Sequence, residues 1–67
     1  MPERFVIHQA KRERNPRFAF RAVQSDGKAV HAIRLGDDET DPPDATVVHG
    51  RDEAIQAVLR QAGYGGR

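Results

Sequence analysis

Arg17-Phe18-Ala19-Phe20-Arg21-Ala22-Val23, Gln24-Ser25-Asp26-Gly27-Lys28 and Ala29-Val30-His31-Ala32-Ile33-Arg34-Leu35 follow one another without a break. The outer runs alternate in polarity as strands do, and Asp26-Gly27 between them is a hairpin signal, because glycine takes positive φ without a Cβ clash. If Asp26-Gly27 is a two-residue loop, Val23 lies opposite Val30, Phe20 opposite Ile33 and Phe18 opposite Leu35. Side chains alternate between the two faces of a strand. That register gathers Phe18, Phe20, Ile33 and Leu35 on one face, with Ala22 and His31 near its turn end. Arg17, Ala19, Arg21, Val23, Val30, Ala32 and Arg34 fall on the other. The phenylalanine face is the expected core, and the arginine-bearing face is the expected open surface.

Working outward, Glu3 to Gln9 reads as a first strand, with Phe5 and Ile7 alternating against Val6 and His8. Lys11-Arg12-Glu13-Arg14-Asn15-Pro16 is a basic connection ended by an Asn-Pro turn. Gly36 to Ala45 is an acidic loop containing Pro42-Pro43, longer than ordinary connections and so expected to be mobile or functional. Thr46-Val47-Val48-His49 reads as a short fourth strand. Ala54, Ile55, Val58, Leu59 and Ala62 then recur at helical spacing and form one apolar stripe. Gly50 opens that helix, Asp52 and Glu53 favour its first turn, and Gly63 suits a left-handed stop with Tyr64 folding back. The expected architecture is α+β: a three- to four-stranded antiparallel meander in the order 1-2-3-4, with the helix packed on the phenylalanine face. Residues 1–67 form one domain, and 63–67 a flexible tail.

The succession Phe5-Val6-Ile7, Phe18-Ala19-Phe20-Arg21-Ala22, Asp26-Gly27-Lys28 and Gly50-Arg51-Asp52-Glu53-Ala54-Ile55-Gln56-Ala57-Val58 resembles the YegP-like family of small uncharacterised bacterial proteins. These motifs span most of the chain. The resemblance implies an α+β fold and occurrence as dimers or tandem repeats. It implies no catalytic residues.

Composition narrows the function classes. A chain of 67 residues buries a limited core, and with no cysteine it has neither a disulfide nor a thiolate metal site to staple it. Self-association is one way to bury more apolar surface, so a homodimer is expected. No stretch is apolar and long enough to cross a bilayer, and the start leads into no signal-peptide core, so no membrane partner and a cytoplasmic location are expected. The net charge is only +1. It is unevenly spread: residues 1–35 carry eight Lys/Arg and three Asp/Glu, residues 36–67 three Arg and seven Asp/Glu.

Catalytic chemistry finds little support. Ser25 is the only serine, sits beside a turn, and has no base placed to activate it. His8, His31 and His49 show no short-range ligand spacing. The acidic loop lacks the alternating ligands, central glycine and closing glutamate of a calcium loop. No cofactor is therefore expected. What remains is a binding module with two readings. One is self-association or protein binding, through the dipolar charge and a Val23/Val30/Ala32 patch. The other is nucleic-acid binding through Lys11, Arg12, Arg14, Arg17, Arg21 and Arg34, whose phosphate contacts would be salt-dependent. An ordinary solvated charged face explains the same arginines.

Overall fold

The computed structural model describes residues 3–64. Four strands and one helix follow in order: β1 (Arg4–Ala10), β2 (Phe18–Val23), β3 (Ala29–Arg34), β4 (Thr46–His49) and α1 (Arg51–Gln61). The fold is α+β, a four-stranded antiparallel sheet with the C-terminal helix on one face.

The strand order is β2-β3-β1-β4, not the expected 1-2-3-4. β1 pairs with β3 on one side and β4 on the other, both antiparallel. β2 also pairs antiparallel with β3, so β1 and β2 run the same way with β3 between them. Residues 11–17 must therefore return the chain along the length of the sheet. Seven residues span up to about 24 Å when extended, enough to retrace a six-residue strand of about 20 Å. The strands with both faces covered take the centre. β3 is buried at every position but Arg34, whereas β2, despite its phenylalanines, is an edge.

The β2–β3 hairpin forms, but one residue out of the expected register. Val23 lies opposite Ala29, Ala22 opposite Val30, Arg21 opposite His31 and Phe20 opposite Ala32. The cause is the turn. The Gln24 N–H donates to the Lys28 carbonyl at 2.7 Å, leaving Ser25-Asp26-Gly27 as a three-residue loop. The Gly27 N–H closes it on the Gln24 carbonyl at 3.2 Å, and Gly27 adopts φ 90°. A turn followed by a positive-φ glycine is the three-residue hairpin form, which needs the same Asp-Gly pair as the two-residue form. The extra residue moves every β3 side chain to the face opposite the one expected.

A second irregularity lies between Phe18 and Phe20, where the register shifts and Phe18 comes opposite Ile33. The bulge at Ala19 separates the phenylalanines. Phe20 joins the core under the helix, its ring centroid 5.7 Å from that of Phe5. Phe18 lies on the other face, edge-on to His31 at 5.8 Å. The core is thus Phe5, Ile7, Ala22, Val30 and Ala32 from the sheet against Ala54, Ala57 and Val58 from the helix, with Phe20, Val48 and Ala62 at its margin. Val30 and Ala32, expected on the open face, are fully buried there. Ile33 and Leu35, expected beneath the helix, lie on the opposite face.

The helix ends as its sequence implies. Gly63 has φ 94°, its N–H donates to the Arg60 carbonyl at 3.1 Å, and the Tyr64 N–H reaches the Leu59 carbonyl at 2.8 Å. This paired arrangement is the Schellman stop. Gly63 and Tyr64, placed in the expected tail, are held by these bonds, and positions 65–67 lie outside the described residues.

Candidate interaction surface

The candidate site is assembled from the edge strand and the flank of the helix beside it. The apolar stripe of α1 is wider than the sheet beneath it. Ala54, Ala57 and Val58 point straight down and are buried, whereas Ile55 and Leu59 project past β2, where the sheet ends. The stripe expected to pack on the sheet stays exposed at these two residues because, among the described residues, no strand lies beyond β2. Ala19, Phe20, Arg21, Arg51, Ile55, Val58 and Leu59 line a groove of about 360 Å³ between strand and helix. Its only charged side chains are arginines.

Among the described residues, the exposed large apolar side chains all border this edge. They are Phe18 (39% exposed), Val23 (50%), Ile55 (38%), Leu59 (41%) and Tyr64 (48%). Tyr64 closes one end, its hydroxyl donating to the Val23 carbonyl at 2.6 Å. Of the five, Ile55 and Leu59 line the groove, Phe18 and Val23 lie on the other face of the same edge strand, and Tyr64 sits at its turn end. The sequence reading found Val23 alone among them. Val30 and Ala32, grouped with it there, lie beneath the helix.

The six basic residues singled out from the sequence do not form one face. Arg21 is in register with His31, on the face away from the helix, and Arg34 is in register with Phe5, on the helix side. The three-residue turn that shifts β3 is what parts them. Arg34 Nε lies 3.3 Å from Glu3 Oε2, and Arg51 Nη1 is 3.8 Å from the other oxygen of that carboxylate. Arg17 donates to Glu39 Oε1. Lys11, Arg12, Arg14 and Arg21 are exposed and make no ion pair among the described residues. Arg51, not counted among the six basic candidates, borders a shared cavity with Arg17 and Arg34 because α1 starts beside the end of β3.

The face away from the helix is not open. The 11–17 connection folds across it. Glu13 pairs with His8 and accepts the Asn15 N–H at 2.8 Å, while Asn15 Oδ1 accepts the Arg17 N–H at 2.8 Å. The Asn15 N–H is the main influence holding the Glu13 carboxyl below its ordinary value, with His8 adding to it. His31 is completely buried under this layer, beside His8 at 5.4 Å between ring centroids. Its Nε2 faces the Ala10 carbonyl at 3.2 Å, and its Nδ1 has no partner. The expected position of His31 at the core edge beside Ala22 is corrected by the same one-residue shift. Among the described residues, no group of three His, Asp or Glu side chains is arranged to hold a metal ion.

The acidic segment is pinned. Arg4 donates to the carbonyls of Gly36 and Glu39, each at 2.7 Å, and to Asp41 Oδ1 at 2.5 Å. The Gly36 N–H donates to Glu39 Oε1 at 2.5 Å, and this contact is the main cause lowering the Glu39 carboxyl, with Arg17 assisting. Two arginines of the basic half thus neutralise two carboxylates of the acidic half within one molecule.

Among the described residues, no helix is long and apolar enough to cross a membrane. No family model, curated protein or solved structure matches the chain.

Proposed function

We propose that the protein is a non-catalytic interaction module that associates with itself through the β2 edge and the adjoining flank of α1. The observation that carries this is that Ile55 and Leu59 stay exposed along the groove beside β2, and that the other exposed large apolar side chains, Phe18, Val23 and Tyr64, border the same edge strand. Its physical basis is the small core: Ile55 and Leu59 gain burial only if a second molecule supplies the surface that the narrow sheet lacks. The resemblance to the YegP-like family, which implies dimers or tandem repeats, is compatible with this reading. A cytoplasmic location remains part of this reading. Sedimentation equilibrium from micromolar to millimolar protein tests it. A reversible monomer–dimer equilibrium is expected, and a strict monomer at millimolar concentration overturns self-association.

The nucleic-acid reading keeps a narrower basis. Arg17 and Arg34 are engaged by Glu39 and Glu3, which leaves Lys11, Arg12 and Arg14 on one exposed loop, with Arg21 apart. Beside that loop the aromatic surface is limited to Phe18, 39% exposed and edge-on to His31, since Phe20 is at the core margin, whereas single-strand binders stack successive bases. Titration with single- and double-stranded DNA and RNA at low salt separates the readings. Binding that weakens steeply with salt and shifts only the 11–17 resonances favours nucleic acid.

A further inference from the structure

We infer that the cavity where the end of β3 meets the start of α1 binds a phosphomonoester dianion, held by Arg34 and Arg51, with Glu3 as its built-in competitor. This does not rest on self-association, although Arg51 also borders the β2/α1 groove.

The cavity has a volume of about 360 Å³. Arg34 and Arg51 belong to different elements, yet both approach the same carboxylate. Arg34 Nε is 3.3 Å from Glu3 Oε2, and Arg51 Nη1 is 3.8 Å from Oε1. Two guanidiniums thus converge on one oxyanion that the chain itself supplies. Both distances exceed the roughly 2.7–2.9 Å of a charge-assisted hydrogen bond. Glu3 therefore offsets charge without filling the arginine forks, whose planar sets of N–H donors match phosphate oxygens two at a time. Both arginine side chains are more than half exposed, so a ligand can reach them.

The charge selects the ligand. Arg34, Arg51 and Glu3 together carry one excess positive charge. With Glu3 turned away the excess is two. A carboxylate would only repeat what Glu3 provides, whereas a phosphomonoester, with its second ionisation near pH 6, brings about two negative charges at neutral pH. Displacing Glu3 needs only side-chain rotation, because its main chain stays fixed by the Gly50 N–H, which donates to the Glu3 carbonyl at 2.6 Å. Among the described residues, Glu3 is the one acidic side chain lining the cavity. Arg17 borders it too, but its guanidinium is taken by Glu39. Asp52 and Glu53 in the first turn of α1 offset the positive end of the helix, so the site rests on the arginines.

The test is titration with methyl phosphate at low salt and pH about 7.5, where it is a dianion, read by the arginine Nε–H signals in NMR. Dimethyl phosphate, one charge poorer, is the control. Methyl phosphate is expected to shift Arg34 and Arg51 and to bind about threefold to tenfold tighter than the diester. Glu3→Gln removes the competitor and tightens binding by about twofold to fivefold, the range of an exposed ion pair. Arg51→Gln weakens it by about threefold to tenfold, and Arg34→Gln is the second variant should that chain fail to fold, as circular dichroism reads. A phosphoserine peptide is titrated in parallel. Tighter binding than methyl phosphate assigns the monoester to a phosphorylated chain, equal binding to a small molecule, and either upholds the site. Equal affinity for the two esters, shifts spread evenly over Lys11, Arg12, Arg14 and Arg21, or no gain from Glu3→Gln overturns it.

Discussion

Gly27 decides more of this fold than any apolar residue. With φ 90° it ends the three-residue turn and places Val30 and Ala32, not Ile33 and Leu35, beneath the helix. A Cβ there would meet no atom within 4 Å, so any penalty is conformational rather than steric crowding. Gly27→Ala is expected to lower unfolding free energy by about 1–2 kcal/mol, the cost of a left-handed L-residue, as read by urea denaturation. An unchanged midpoint would show that the turn relaxes to another form. The Asp-Gly signal was legible in the sequence as a hairpin. Its loop length was not, because two- and three-residue turns both want glycine at a positive-φ position. The bulge at Ala19 was equally hidden, since nothing in Phe-Ala-Phe announces that alternation breaks there.

At the level of elements, α1 was readable almost entirely. The stripe, the acidic first turn and the Gly63 stop all stand where local chemistry put them. How much of the stripe would be buried was not readable, because that depends on which strand forms the edge beneath it. The strand order itself follows from pairings such as Arg4 with His49, which no short window of sequence contains. The candidate surface inherits this limit. Ile55 and Leu59 look like core residues until the sheet is seen to stop at β2. Tyr64 fastens the end of the helix to this edge through the Val23 carbonyl. Tyr64→Phe keeps the ring and deletes the bond, so a loss of about 0.5–1.5 kcal/mol is expected in thermal or denaturant unfolding. No loss would mean water replaces the hydroxyl at that carbonyl without cost.

Over the whole molecule, two carboxylates fasten connections to the sheet. Glu13 ties the 11–17 crossover to His8, and Glu39 shapes the acidic segment against Arg17. Both have folded-state pKa values below the ordinary 4.5. The unfolded chain therefore takes up these protons at higher pH than the native one. Their stabilisation is complete above about pH 4.5 and disappears as pH falls through the lower native values. Stability is expected to decline on acidification below 4.5, and a Glu13→Gln, Glu39→Gln double variant should show a shallower decline. Parallel profiles for the two proteins would assign the acid sensitivity to other carboxylates. Added salt should shift the Glu39 contribution more, since that pair is the more exposed.

The central position of β1 carries a consequence for how the chain is made. β1 is synthesised before both its partners, β3 at an intermediate distance downstream and β4 farther on. Only the β2–β3 hairpin can pair with what has just been synthesised. β1 must wait with Phe5 and Ile7 uncovered until residues 46–58 emerge to complete the sheet and cap it. Contacts so remote in sequence slow folding relative to a meander of the same size. Nascent chains should thus stay protease-sensitive until residues 46–58 have cleared the exit tunnel.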